Sequence, residues 1–119
     1  MGDRSNIAVD FGNNQKVYLY SHWRGPDLAI VVRDVLKAAK RLDDPQYLAR
    51  ILFDAMVGSD QGGETGYGIS PMVCDNSYPI LVIDCENRRV TVEGGKGEWP
   101  FAVFAGFKDK EAIDTMRNK

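Results

Sequence analysis

Leu28, Val31, Val32, Val35, Leu36, Ala39 and Leu42 recur at steps of three and four residues, which lays one apolar stripe along a helix. Arg33, Asp34, Lys37, Lys40 and Arg41 fall off that stripe. A helix with one apolar face needs a second layer to cover it, so the rest of the chain must supply that layer. Gly25, Pro26 and Asp27 mark its start, because proline fits the first turn and an aspartate suits the positive end of the helix dipole.

A second helix follows almost at once. Asp44 is the expected N-cap and Pro45 the first helical residue. Leu48, Ile51, Leu52 and Ala55 form its stripe, and Gly58 is its stop.

The covering layer is legible as strands. Ile7 to Phe11 alternates apolar and polar, Gly12, Asn13 and Asn14 make a turn, and Val17 to Trp23 resumes the alternation. Together they read as a β-hairpin. Its parity puts Tyr18, Tyr20 and His22 on one face and Leu19 with Trp23 on the other.

Pro79 to Cys85 is a near-continuous apolar run, the pattern of a strand buried on both faces. After a turn at Glu86, Asn87 and Arg88, Arg89 to Glu93 alternates as its hairpin partner. Trp99 to Phe107 is apolar throughout and fits either a short helix or an edge strand, with the helix preferred. From Gly58 to Tyr78 both periodicities vanish, so a long loop is expected there, of a kind that is more often functional or mobile than idle.

The expected fold class is α+β: a mainly antiparallel sheet of two β-hairpins with two consecutive helices packed on one face. One domain spans residues 1–119, with its core between 5 and 107 and a charged C-terminal tail from 108, in which a last turn fits around Ala112, Ile113 and Met116.

Composition mainly excludes. Fifteen Lys and Arg against 17 Asp and Glu give a net charge of −2, which supplies no field for a nucleic-acid polyanion. No apolar run approaches a membrane span and the start Met1-Gly2-Asp3-Arg4 lacks a signal-peptide core, so no membrane partner and a cytoplasmic location are expected. Cys74 and Cys85, two cysteines with one distant histidine, do not make a metal-ligand spacing. In a reducing compartment they are expected as free thiols. No cofactor and no metal are expected.

Chemistry-bearing residues gather in two places. The run Tyr20-Ser21-His22-Trp23-Arg24-Gly25-Pro26 sits where a strand hands over to a helix and holds the single histidine. His22 could serve as a base, with Ser21, Cys74 or Thr65 as nucleophile and Asp75 or Asp84 to orient it, but no triad spacing supports this. Tyr20, Trp23, Arg24 and Tyr67 make a better recognition set, since aromatic faces stack on bases and arginine pairs with phosphate.

The second place is Gly62-Gly63-Glu64-Thr65-Gly66-Tyr67-Gly68. It lacks the Gly-Lys-Ser/Thr ending of a P-loop and is not a dinucleotide fingerprint. A tight turn or a mobile lid fits it.

Tyr20-Ser21-His22-Trp23-Arg24-Gly25, Tyr47-Leu48-Ala49-Arg50-Ile51, Gly63-Glu64-Thr65-Gly66-Tyr67-Gly68-Ile69 and Cys74-Asp75-Asn76-Ser77-Tyr78-Pro79 together resemble a family of small tailed-phage and prophage proteins. The resemblance spans most of residues 17–92. It suggests a host-cell role like that of the sponges that sequester nucleotide immune signals, as anti-Thoeris and anti-CBASS proteins do.

The expected function is therefore non-catalytic binding of a small nucleotide-like ligand. Tyr20, His22, Trp23 and Arg24 would form one wall, and Thr65 and Tyr67 would belong to a loop closing over it. The alternatives are a hydrolase of cyclic nucleotides acting through His22, and a structural or host-protein-binding module. In the last, Trp99 to Phe107 docks on a partner or on a second copy in a homo-oligomer.

Overall fold

A computed structural model describes residues 3–95 and 97–117. The chain runs β1 (Ser5–Gly12), β2 (Gln15–Ser21), α1 (Leu28–Ala38), α2 (Pro45–Val57), β3 (Tyr67–Ser70), β4 (Leu81–Asp84), β5 (Arg89–Val92), β6 (Glu98–Pro100), α3 (Phe101–Ala105) and α4 (Asp109–Thr115). Short 3-10 turns at Gly25–Asp27 and Gly58–Asp60 precede α1 and follow α2.

The fold is α+β, with one six-stranded sheet in the order β3-β2-β1-β4-β5-β6. The two expected hairpins exist, as β1 with β2 and β4 with β5. What joins them is a parallel pairing of β1 with β4, in the register Ile7↔Leu81 and Val9↔Ile83. The sheet is therefore mixed, and each hairpin gains a further antiparallel strand on its outer side.

Parity decides which residues meet the helices. Ile7, Val9, Leu19, Leu81, Ile83 and Val90 are buried in one cluster with Leu28, Val32, Leu48, Leu52 and Met56 from α1 and α2. Burying side chains of this size contributes roughly 1.5–3 kcal/mol each. The opposite face carries a much smaller cluster, Ala8, Ile80 and Val82, with Tyr18 laid against it.

Several boundaries differ from the sequence reading, each for a local reason. Ala39 adopts φ +56°, and its N–H bonds back to Val35 and Leu36. This left-handed residue ends α1, so Leu42 packs on the core from beyond the helix. The strand expected to reach Trp23 ends at Ser21. The expected loop from Gly58 to Tyr78 contains strand β3, held by the register Leu19↔Ile69 and Ser21↔Tyr67.

Trp99 to Phe107 turns out to be both alternatives in succession. Pro100 closes β6 and caps α3, after which Phe101 and Phe104 are buried. Trp99, Phe104 and Phe107 lie with ring centroids 5.1–6.0 Å apart, so this segment packs largely on its own domain. The tail is no tail: α4 buries Ala112, and Met116 just beyond it is buried too, so the core extends past residue 107. Among the described residues there are thus four helices rather than two, and α3 and α4 both pack against α1. The Arg33 guanidinium anchors the last of them, donating to Phe107 O at 3.1 Å and to Asp109 at 2.5 Å.

Candidate functional site: the aromatic junction after β2

The chain leaves the sheet at Ser21, and the following residues are fixed by backbone bonds on both sides. His22 N donates to Gly66 O at 2.8 Å, continuing the β2–β3 ladder. On the other side Asp3 N donates to His22 O and Gly25 N to Asp3 O. Gly25 has φ +54°, and a Cβ there would lie 2.1 Å from the Asp3 carboxylate, so a larger residue would displace the Asp3 side chain.

The aromatic side chains then form a continuous chain. The Tyr20 hydroxyl and His22 Nδ1 are 2.8 Å apart. His22 meets the edge of Trp23 with centroids 5.7 Å apart, and Trp23 meets Tyr67 at 5.9 Å, both near perpendicular. Trp23 also packs against Gly66, where an added Cβ would come within 2.1 Å of its ring. Although supported in this way, Trp23 is 51% exposed. It is an aromatic plane held in place at the surface.

Arg24 takes a different position from the one its sequence context suggests. Its Nε donates to Met56 O at 2.8 Å, at the C-terminal end of α2. A cation satisfying a last-turn carbonyl suits the negative end of that dipole. The three-residue turn that follows Arg24 runs directly into α1. The Arg24 N–H donates to the buried Ser21 hydroxyl at 3.0 Å.

Thr65 is exposed, and with Tyr67 it lines a cleft of about 190 Å³ between β3 and α2, whose other walls include Phe53, Asp54, Val57 and Asp60. Tyr20, His22, Trp23 and Arg24 do not line this cleft. The six residues expected to share one pocket are therefore divided: Tyr20, His22, Trp23 and Tyr67 form a ridge, Thr65 lines the cleft beside it, Tyr67 belongs to both, and Arg24 reaches the end of α2. The loop is also less free than a lid: Gly66 is bonded to His22, and Tyr67 onward is in the sheet.

Four of the five potential partners of a catalytic histidine are engaged elsewhere. Ser21 accepts from Arg24, Asp75 pairs with Arg4 at 3.0 Å, Asp84 accepts from Asn87, and Cys74 lies 3.7 Å from Ser70. The hydrogen-bond partner of His22 is Tyr20. Among the described residues no group of three His, Cys, Asp or Glu could hold a metal ion. No described helix is long and apolar enough to cross a membrane.

The residues that brace the junction were not evident in the sequence. Asp3 sits over Gly25 and accepts from the Tyr78 hydroxyl, a bond that raises the tyrosine's pKa above its usual value. Asn6, almost fully buried, donates to Asp75 O at 2.7 Å and to Asn76 at 3.2 Å. These contacts pin the 75–78 segment against the start of β1.

Comparison of the chain with known protein families, with characterised proteins and with solved structures gave no match.

Proposed function

We propose that this protein binds a small nucleotide-derived signal molecule and holds it without transforming it, the role suggested by its resemblance to small tailed-phage proteins. The observation that carries this reading is Trp23: half exposed, yet fixed between Gly66, His22 and Tyr67. A rigid exposed indole is a stacking platform for a planar base, and a preorganised one avoids the entropy of ordering it on binding.

The cleft beside it gives the ligand a direction. Asp60 among its walls accepts hydrogen bonds from the amino edge of a base and repels phosphate, while Asp54 is already paired with Arg50 at 2.5 Å. The phosphate end therefore turns outward past Trp23 toward Arg24, whose Nε alone is committed to Met56. Thr65 and Tyr67 supply hydroxyls between the two ends.

Calorimetry with cyclic dinucleotides and cyclic ADP-ribose isomers tests this, with chromatography of the recovered ligand. The expected result is saturable heat, intact ligand, and a Trp23→Ala variant weakened by about 5- to 150-fold, the loss of one stacked base. No heat with any of these ligands, or equal affinity in Trp23→Ala, would refute it.

A further inference from the structure

The two edges of the sheet are built differently. At one edge β6 carries Glu98 and Pro100, and Glu98 pairs with Arg89 at 2.8 Å; charge and proline are the usual protection of an edge strand against pairing. At the other edge β3 lies in an uncharged stretch, Thr65 to Cys74. Ile69 there is 60% exposed beside an apolar groove lined by Phe11, Leu19, Phe53 and Val17.

The hydrogen-bond phase of β3 shows what this edge offers. Because His22 N donates to Gly66 O, and hydrogen-bonded pairs alternate along an antiparallel ladder, Tyr20↔Gly68 and Tyr18↔Ser70 are the bonded pairs. The N–H and C=O of Tyr67 and Ile69 then point outward, and β3 has no second strand neighbour among the described residues.

Gly68 between them has no need to be glycine within its own chain. Its φ is not positive, and an added Cβ would meet nothing within 4 Å. Glycine inside a strand costs stability and often marks the approach of another backbone.

We propose that β3 is the docking edge for a second copy of this chain, paired antiparallel about a two-fold axis through Gly68. In this register Tyr67 of each copy faces Ile69 of the other, and each such pair exchanges both of its N–H···O bonds. Both residues lie on the helix side of the sheet, so each copy contributes to two aromatic to β-branched cross-strand contacts, a favourable class. The central Gly68 pair is the non-bonded kind, with α-carbons about 4.5 Å apart, where the missing side chain removes a crowded contact.

Self-pairing also satisfies the electrostatics, since no like charges oppose one another along the uncharged stretch. Pro71, lacking an N–H, ends the ladder just beyond. Tyr67 belongs to the aromatic ridge as well, but the substituted residues Gly68 and Ile69 do not, so the dimer test and the ligand test can fail separately.

The test is light scattering after size exclusion across a concentration series, with circular dichroism as the folding control. The chain should approach twice its monomer mass. Ile69→Pro removes an outward N–H without touching the β2–β3 bonds, and Ile69→Lys adds an edge charge; each should raise the dimer dissociation constant by about tenfold or more. In a Cys74→Ser background, Gly68→Cys should form a disulfide-linked dimer on mild oxidation, which reads the register even if the Ile69 variants misfold. A monomer throughout, a dimer unchanged by folded Ile69 variants, or a dimer that Gly68→Cys fails to crosslink would overturn the proposal.

Discussion

Replacing Gly66 by alanine tests whether the aromatic junction is held as described. Gly66 has φ +101°, and its new methyl group would lie 2.1 Å from Trp23 Cζ3 and 2.5 Å from Cη2. The backbone cannot turn away freely, because Gly66 O accepts the His22 N–H at 2.8 Å. Holding alanine at such a φ costs about 1–3 kcal/mol. The Trp23 ring, half exposed, yields by swinging outward, and loses its contact with Tyr67, worth about 0.5–1.5 kcal/mol.

Gly62→Ala separates these two costs. Gly62 has φ +81° and an added Cβ there meets nothing within 4 Å, so that variant suffers only the backbone cost. Gly66→Ala should be the less stable of the two by about 1 kcal/mol, a further fall in Tm on the order of 4 °C. In a Trp99→Phe background, Trp23 is the remaining indole, and only Gly66→Ala should shift its emission to the red. Equal Tm values with unchanged Trp23 emission would refute the picture of Trp23 seated on Gly66.

Two other groups carry measurable signatures. Tyr18 donates to Glu93 at 2.6 Å, and that bond, with burial and the nearby carboxylate charge adding to it, pushes the phenol up from 10.0 to about 12. The folded state thus holds the proton more tightly than the unfolded chain, so this contribution to stability is present below pH 10 and is lost as pH rises toward 12. Glu93→Gln should return the Tyr18 transition toward 10.0 in an ultraviolet titration; an unchanged titration would show that the bond is not the cause. Burial, reinforced by Asp84, pushes the Cys85 thiol up to about 11, while Cys74 is exposed. A thiol reagent at neutral pH should label Cys74 at once and Cys85 only after denaturation, and rapid labelling of both would contradict the burial of β4's end.

Local pattern alone determines much of this molecule. The stripe of α1, the Asp44-Pro45 start of α2, the alternation of β1 and β2, and the doubly buried run of β4 follow from period, caps and turn residues within about a dozen positions of one another. Strand parity likewise separated Tyr18 and Tyr20 from Leu19 correctly, because side chains must alternate.

Decisions between distant segments were not legible. Tyr67–Ser70 has too few residues, with Gly68 among them and Gly66 just before, to read as a strand; β2 makes it one by offering a ladder in register. The parallel pairing of β1 with β4 is likewise a choice between edges far apart in sequence. The charged C-terminal segment became helix because Ala112 and Met116 found the core.

The site shows the same division. Sequence assembled Tyr20, His22, Trp23 and Arg24 because they are neighbours, and Thr65 with Tyr67 because they share a loop. Only the tertiary structure decided that Tyr67 meets Trp23, that Arg24 closes the end of α2, and that the cleft is walled by Phe53 and Asp54. Period and turn chemistry act over a few residues. Which surface a half-exposed ring or a long cation finds depends on packing between elements that the sequence keeps far apart.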